Sequence, residues 1–294
     1  VHLRFFPMEH QYAPLPEGYS VVVCHSRVEA QKSAGAREVF NRRIAGYALG
    51  LLWVKEKFPQ YADRLGHLRD IHPATLSVGE DGIYEILLAI PVEITADALR
   101  SELQTRRSEV EKVFETFGES SAPYPLREIV LFGVAECRRS EIFAELLDAG
   151  DVETLGRLML VSHDGDRVSR TMNGDSEPYR SPYDDNYLNH LIAEIRSRET
   201  TRKDTAALQF QPGGYRCSVP DVDRMVDICA RVDGVAGAGL TGAGLGGCIV
   251  VLVRTEALER LKTTLEKEYY KPLNREPFIE VCESVSGAEI IEAE

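Results

Sequence analysis

A glycine-rich stretch lies directly before a continuous apolar run in the last fifth of the sequence. Residues 241–248 read TGAGLGGC, and the apolar run covers residues 249–253. Backbone without Cβ atoms reaches positive φ and approaches an anion or a sugar closely. The spacing of Gly242, Gly244 and Gly247 satisfies the pattern GxGxxG. A dinucleotide-binding fingerprint, however, needs a strand before the glycines and a helix after them.

This chain has the reverse order, which argues against a dinucleotide fold. Before the glycines, Pro220 opens a helical pattern with Val222, Met225, Val226 and Cys229 on one side. The last third of the sequence predicts a helix at 220–232, a loop, a strand at 248–254, a helix at 255–268 and a strand at 277–283. Alternation of this kind predicts an α+β fold, in which an antiparallel sheet is layered with helices.

The same order of segments resembles the C-terminal half of galactokinases in the GHMP kinase superfamily. The resemblance starts at residues 215–223, passes through a helix and reaches the glycine-rich stretch. Further segments agree in order, and these are Asn41-Arg42-Arg43, Glu136-Cys137-Arg138-Arg139, residues 155–159 with Ser162-His163, and the ending at 281–288. The resemblance implies the α+β fold of the GHMP kinase C-terminal domain.

The resemblance also implies a set of site residues. The glycine-rich stretch would lie beside the phosphate loop and the sugar, and its members are Thr241, Gly242, Ala243, Gly244, Leu245, Gly246 and Gly247. Ser26, Val39 and Arg42 would lie on the sugar side. ATP and Mg²⁺ are the implied cofactors, held mainly by an N-terminal half. No catalytic residue and no metal ligand is assigned to this chain.

Motifs of the N-terminal half are not found in the 294 residues. Galactokinases carry a sugar-binding motif, a serine-rich phosphate loop and a catalytic aspartate before the segments matched here. We therefore expect this chain to be the C-terminal part of an ATP-dependent sugar 1-kinase, which phosphorylates the anomeric hydroxyl of a monosaccharide. On this interpretation its partners are a monosaccharide, ATP and the N-terminal half, and the chain alone is inactive.

Departures from the galactokinase pattern keep other functions open. Gly239 stands where the family often has arginine, Leu245 replaces a phenylalanine, and Val39 replaces a tyrosine that contacts the sugar. These changes leave a noncatalytic sugar-sensing or interaction module of the same fold as an alternative. A lengthened segment at about 75–125 is similar to that of plant-type arabinokinases, which keeps arabinose or a uronic acid open as substrate. A kinase acting on an alcohol other than a sugar is a third alternative.

The expected organisation is one large domain with two insertions. Residues 1–30 would be the remnant of a preceding domain with the first strand, at 20–24. Residues 31–294 would form the GHMP kinase C-terminal-like domain, with insertions at about 75–125 and 165–214. Helices are predicted over Val39 to Val54, at 96–117 and at 126–147. The second insertion is predicted to be a surface excursion with one short helix around Leu191.

Composition narrows the classes of partner. The formal net charge is −13, from 47 acidic and 34 basic residues. Repulsion from phosphates disfavours nucleic acid and anionic membranes as partners. No apolar stretch approaches the roughly 18–20 residues that span a bilayer, so a cytoplasmic setting is the expectation. The six cysteines lie singly in apolar segments and are predicted to be free buried thiols.

Several polar groups have a structural interpretation that competes with a functional one. For Arg42 and Arg43, ion pairs with acidic neighbours are favoured over anion binding. Arg196, Arg198, Arg202 and Lys203 are better explained as a solvated helix end than as a phosphate site. His163 is expected to be a hydrogen-bonded structural group at a helix end. Asp221 and Asp223 fit capping and the helix dipole better than a metal pair.

Overall fold

The computed structural model describes residues 2–5, 8–29, 34–172 and 175–283. Its first part is mainly helical, and its elements are β1 His2–Phe5, β2 Met8–Gln11, β3 Tyr19–His25, α1 Ala34–Lys57, α2 Pro73–Leu76, α3 Glu80–Leu88, α4 Ala96–Glu102, α5 Arg107–Phe117 and α6 Leu126–Ala149. The second part adds α7 Val152–Asp166, β4 Ser169–Met172, β5 Asp175–Pro178, α8 Asp185–Ile195, α9 Thr200–Ala206, α10 Pro220–Ala230, β6 Val235–Thr241, β7 Cys248–Arg254, α11 Leu258–Leu265 and β8 Ile279–Cys282.

A four-stranded antiparallel sheet forms one centre of the molecule. Its strand order is β6-β7-β3-β8, so β3 pairs with strands that follow it by more than two hundred residues. Cys24 lies opposite Ile249 on one side and opposite Ile279 on the other. Apolar side chains from these strands pack with α10, α11 and the π-helical turn at Glu266–Tyr270 in one buried cluster. The predicted α+β fold is therefore confirmed.

A second apolar cluster lies among the helices. It collects buried side chains from α1, α3, α4, α5, α6 and α8, including Leu49, Tyr84, Leu99, Val130 and Leu188. The first half of α6 is buried on nearly every side, which explains its almost continuous apolar sequence from 129 to 135. The helix ends at Gly150, whose φ of 67° gives the left-handed C-cap that favours glycine. The helix predicted at 126–147 is thus confirmed.

The strand β6 corrects the expected loop between residues 232 and 248. Its sequence VAGAGLT holds two glycines, which are poor strand formers. Helix α7 explains them, because a Cβ on Gly237 would lie 2.5 Å from the carbonyl oxygen of Gly156, and one on Gly239 would lie 3.2 Å from that of Met159. The glycines in β6 thus allow a helix to lie directly on the strand.

Two further expectations differ from the structure. The helix predicted at 96–117 is divided, because Leu103 leaves helical geometry and a short 3₁₀ turn separates α4 from α5. The segment 165–214 is not a surface excursion. Its helix α8 buries Leu188, Leu191 and Ile192 in the helical cluster, and a Cβ on Gly213 would overlap the backbone of Phe132 in α6.

The described residues bear on two further expectations, one for the C-terminal end of the chain and one for membrane-spanning helices. The matching ending at 281–288 lies outside the described residues from position 284 onward. Within the described ranges, no helix is both long enough and apolar enough to cross a membrane.

Candidate functional site

The glycine-rich stretch forms the connection of a β-hairpin between β6 and β7. We call residues 241–248 the glycine hairpin. Thr241 pairs with Cys248 across its base, and five residues between them have positive φ. These are Gly242 at 90°, Gly244 at 84°, Leu245 at 63°, Gly246 at 133° and Gly247 at 84°. Only glycine reaches such angles without strain at most of these positions, so the sequence dictates this conformation.

The inner half of the glycine hairpin is fixed by main-chain hydrogen bonds. Leu245 donates its N–H to the carbonyl oxygen of Cys217 at 2.6 Å. Gly247 donates to the carbonyl oxygen of Val28 at 2.9 Å and accepts from the N–H of Ser26 at 2.8 Å. A Cβ on Gly244 would overlap the Cys217 carbonyl. The inner half therefore needs its glycines for packing.

The outer half of the hairpin faces solvent. Thr241, Gly242 and Ala243 are exposed, whereas Gly244 and Gly246 are buried. A Cβ on Gly242 would have no described neighbour within 4 Å. Main chain is therefore accessible at the tip of a rigid hairpin, which is the arrangement that close approach to a ligand requires. The ligand contacts expected for residues 241–247 remain a prediction.

The three residues expected on the sugar side lie in different surroundings. Ser26 is fully buried beneath the glycine hairpin, and its hydroxyl accepts a hydrogen bond from Val28 N at 3.2 Å. Its carbonyl oxygen accepts from the hydroxyl of Tyr269 at 2.7 Å. Val39 is partly buried on α1. Arg42 lies on the next turn and lines a separate cleft, so the structure does not gather these three side chains at one point.

That cleft, which we call the arginine cleft, lies between α1, α6 and the chain around residues 214–216. Its charged lining consists of Arg42, Arg43, Arg180, Arg216, Glu93 and Glu128. Its volume is about 270 Å³. The expected ion pairs of Arg42 and Arg43 with acidic neighbours are not found among the described residues. The Nε of Arg42 and Nη1 of Arg43 are instead buried without a hydrogen-bond partner in that part of the chain.

An aromatic stack supports the floor of the arginine cleft. The ring of Tyr215 lies between those of Tyr47 and Phe132, with centroids 5.4 Å apart in both pairs. The guanidinium of Arg43 lies 5.9 Å from the Tyr215 ring. Burial raises the pKa of Tyr215 to about 12, so its hydroxyl stays protonated near neutral pH. The stack holds the segment before Arg216 against α1 and α6.

Asp166 connects the end of α7 with the strand-like segment that supports the glycine hairpin. The Sγ of Cys217 lies 3.0 Å from Oδ1 of Asp166 and donates its proton. Burial raises the pKa of Asp166 to about 6, although the thiol hydrogen bond and the positive charge of Arg43 act in the opposite direction. Burial also raises the pKa of the Cys217 thiol far above its usual range. Cys217 is therefore a protonated donor and not a nucleophile near neutral pH.

His163 and Asp223 form a fully buried pair, with Nε2 and Oδ1 3.2 Å apart. The Nδ1 of His163 accepts from Leu240 N at 3.3 Å, which places the ring proton on Nε2. Asp223 also accepts from the backbone N–H groups of Val168 and Ser169, at 3.0 and 2.8 Å. Burial tends to raise the pKa of Asp223, but the adjacent His163 ring and the donated backbone hydrogen bonds lower it on balance. Both groups tie α7 and α10 to the sheet.

Three of the other acidic and basic candidates have protein partners. Asp221 forms an ion pair with Arg275. Arg196 bonds the carboxylates of Asp81 and Glu85 at 2.8 and 2.6 Å. Arg202 pairs with Glu194. Within the described part of the chain, no group of three or more His, Cys, Asp or Glu side chains is placed to hold a metal ion.

Sequence reasoning did not anticipate Arg180, Arg216, Glu128 or Asp166 as neighbours of the expected site. Arg216 has a φ of 56°, a conformation that L residues other than glycine rarely adopt. The two glycines before it were the only local signal. The pairing of Glu128 with arginines from a distant segment depends on the tertiary fold, so no local pattern predicts it.

Comparison with known proteins gives three findings. Residues 191–271 match the family model described as GHMP kinases C terminal. A galactokinase from Roseiflexus sp. (strain RS-1) is 30% identical over 165 residues, which cover 56% of this chain and 31% of that protein. The crystal structure of Lactococcus lactis galactokinase complexed with galactose aligns with a TM-score of 0.47 and 15% identity, over 93% of this chain and 47% of that one.

The similarity to known proteins covers only part of their length. The chain spans about a third of the length of the curated relative it matches. The family-model match runs from α8 to the residue after the π-helical turn, and it includes the whole glycine hairpin. Residues 191–271 therefore match the family of GHMP kinases C-terminal domains, and the chain is similar to a galactokinase over part of its length. Its sheet and flanking helices carry the GHMP kinases C-terminal fold.

Proposed function

We propose that this chain is the C-terminal part of an ATP-dependent sugar 1-kinase, which transfers the γ-phosphoryl group of ATP to the anomeric hydroxyl of a monosaccharide. The observation that carries the proposal is the glycine hairpin, whose inner half is fixed by hydrogen bonds while main chain is exposed at Thr241, Gly242 and Ala243. The similarity to a galactokinase supports the class of reaction.

The hairpin suits the physical demands of phosphoryl transfer. Catalysis of this reaction depends on positioning and on stabilising charge on the phosphoryl oxygens, with little covalent chemistry for the protein to perform. The absence of a Cβ at Gly242, on a hairpin whose inner half is held by hydrogen bonds, lets exposed main chain lie close to a sugar or a phosphate. In this proposal the hairpin shapes the site and excludes water, and it does not supply the base.

ATP and Mg²⁺ fit this chain only in part. The exposed main chain at Gly242 fits close approach by a nucleotide phosphate or the sugar that receives it. The described residues offer no cluster of three metal-binding side chains. Mg²⁺, which supplies charge neutralisation when bound, would therefore be held by the nucleotide phosphates and by groups that this chain does not provide. We propose that these groups belong to the part of the kinase that corresponds to the unmatched length of its relatives.

The test compares this chain with the natural polypeptide in which it occurs. Each is incubated with Mg·ATP and a panel of galactose, arabinose and galacturonic acid, and sugar 1-phosphate is identified by ³¹P NMR. We expect turnover only when the phosphate loop and catalytic aspartate are present. Turnover by this chain alone would contradict the proposal that it is only the C-terminal part of the kinase. Sugar binding without turnover in both would replace the kinase by a sensing module.

A further inference from the structure

The arginine cleft gathers more positive charge than its own carboxylates neutralise. Four guanidinium groups line it, from Arg42, Arg43, Arg180 and Arg216, against the two carboxylates of Glu93 and Glu128. The chain as a whole carries a formal charge of −13, so a local excess of two positive charges is opposite in sign to the net charge of the protein. We propose that the cleft binds a small oxyanion, either a carboxylate or a phosphate group. The proposal does not rest on the kinase function.

Three of the arginines that line the cleft carry a donor atom with no acceptor among the described residues, and Oε2 of Glu128 is a buried acceptor without a hydrogen-bond partner there. Nε of Arg42, Nη1 of Arg43 and Nη2 of Arg216 are buried from solvent, and none has a hydrogen-bond partner among the described residues. Buried donors in native proteins are normally paired, because a buried polar group without a partner destabilises the fold. An oxyanion has several acceptor oxygens, and the planar guanidinium matches carboxylate and phosphate geometry.

The buried carboxylate of Glu128 positions the arginines without saturating them. Its Oε2 lies 3.4 Å from Nε of Arg180 and 3.4 Å from Nε of Arg216. Nη2 of Arg180 also lies 3.5 Å from Oε1 of Glu128 and 3.8 Å from Oε1 of Glu93. All four distances exceed the roughly 2.7–2.9 Å of a charge-assisted hydrogen bond. Glu128 thus holds the guanidinium groups of Arg180 and Arg216 near each other. N–H donors of both groups are left for a ligand.

The main chain beside the cleft is built for this placement. Arg216 adopts a φ of 56°, and its N–H donates to the carbonyl oxygen of Gly165 at 3.0 Å. Gly214 donates to the carbonyl oxygen of Glu128 at 2.9 Å, and a Cβ on it would lie 2.8 Å from Oε2 of that side chain. Strained backbone held by such contacts is concentrated at ligand sites. The Tyr215 stack fixes the residue between them.

The size of the cleft restricts the ligand. Its volume of about 270 Å³ lies below the range of roughly 300–1,000 Å³ that is usual for drug-sized molecules. A single phosphate or an acidic monosaccharide is of the right class, whereas a nucleotide is too large to be enclosed. The carboxylate of a sugar acid and a phosphate group share the oxyanion chemistry that the arginines recognise.

Isothermal titration calorimetry on this chain tests the proposal with three probes: inorganic phosphate, D-galacturonate and D-galactose. Galacturonate and galactose differ only in the carboxylate, so they form a matched pair. We expect at least one of the two anions to bind with a Kd of about 1 mM or tighter, to weaken at high salt, and to exceed galactose by at least about tenfold. Phosphate alone, galacturonate alone or both would each support the oxyanion site and identify its preferred group.

Two substitutions of partly exposed arginines locate the site. Arg180→Gln and Arg216→Gln should each weaken anion binding by about tenfold or more. Arg196→Gln is the control, because it removes one positive charge from an exposed side chain that pairs with Asp81 and Glu85 away from the cleft. Circular dichroism melting verifies that each variant folds. Absence of binding by both anions, equal binding of galactose, or an equal loss in Arg196→Gln would overturn the proposal.

Discussion

The backbone N–H of Leu245 donates a hydrogen bond of 2.6 Å to the carbonyl oxygen of Cys217. Cys217 directly follows Arg216, so the glycine hairpin and the arginine cleft share one segment of backbone. The thiol of Cys217 is held in turn by Asp166 at the end of α7. The short segment at Arg216 and Cys217 therefore positions both candidate ligand sites. Contacts with Leu245 and Asp166 hold this segment in place.

Gly244→Ala is expected to destabilise the fold more than Gly242→Ala. Both residues have positive φ, so each substitution carries a backbone cost of about 1 kcal/mol. Only at Gly244 would the new Cβ overlap the Cys217 carbonyl. The total loss there should reach about 3 kcal/mol in urea unfolding. Equal losses in the two variants would show that the inner half of the hairpin is not packed as described.

Gly156→Ala tests the contact between α7 and β6 against helix propensity. Alanine in a helix interior favours the helix by about 1 kcal/mol over glycine. A Cβ on Gly156, however, would overlap the carbonyl oxygen of Ala236 in β6. We expect a net loss of about 2–3 kcal/mol in the free energy of unfolding.

The matched control for this contact is Gly46→Ala in α1. There the nearest atom to a new Cβ is the flexible Cδ1 of Ile129, at 3.0 Å. Its stability should stay within about 1 kcal/mol of the parent, because the side chain can move. A stabilised Gly156→Ala variant would mean that α7 does not lie on β6 at this distance.

Asp166→Asn should change how stability depends on pH. Burial raises the pKa of Asp166 to about 6 in the folded protein, against about 3.9 in an unfolded chain. The unfolded chain releases this proton first, so the contribution of Asp166 is fully present below about pH 4 and is lost as pH rises through about 6. The asparagine variant should therefore be more stable than the parent at pH 7.5, by roughly 2 kcal/mol after allowance for partial exposure.

That advantage should shrink as the pH falls toward 4, when the parent carboxyl group is protonated in both states. Urea unfolding of parent and variant at several pH values measures the difference directly. Parallel stability curves would show that Asp166 ionises normally and lies in a better solvated place than the contact with Cys217 indicates.

Asp223→Ala should be much more damaging than Asp221→Ala. Asp223 is fully buried and accepts hydrogen bonds from two backbone N–H groups as well as facing His163. Its removal leaves those donors unpaired, and we expect a loss of about 3–5 kcal/mol. Asp221 is partly exposed and pairs with Arg275, so its removal should cost about 1 kcal/mol. Thermal melting separates the two, and similar melting temperatures would contradict the buried role of Asp223.

The elements that sequence predicted well have strong local patterns. Helix α6 combines an apolar run with a proline before it and Gly150 after it, and β7 is a run of branched apolar residues. Strand β6 could not be predicted, because its glycines serve contact with α7 and not strand propensity. Local pattern also predicts α8 wrongly, because its apolar residues indicate a surface helix whereas in the structure α8 packs on α3 in the helical cluster.

Sequence alone indicates a candidate site only where one segment carries the pattern. The glycine hairpin is recognisable in sequence because its four glycines lie within the six residues 242–247. The arginine cleft is not, since Arg42, Glu128 and Arg216 come from three distant segments that meet only in the folded chain. The sequence favours ion pairs for Arg42 and Arg43. A surface arginine usually has acidic neighbours and is exposed to solvent.

The most direct test of the central claim is the kcat/KM for sugar phosphorylation by the proposed complete kinase, with Gly242→Val compared with the parent. Valine at the exposed hairpin tip meets no described protein atom near its Cβ, but the φ of 90° strains a β-branched residue. Circular dichroism melting, with Gly242→Ala as the control that shares the positive-φ cost, therefore verifies that the variant folds. If main chain at Gly242 lies against the phosphorylated ligand, kcat/KM should fall by at least about a hundredfold, as for loss of a well-placed transition-state contact. An unchanged kcat/KM in the folded variant would contradict the role assigned to the glycine hairpin.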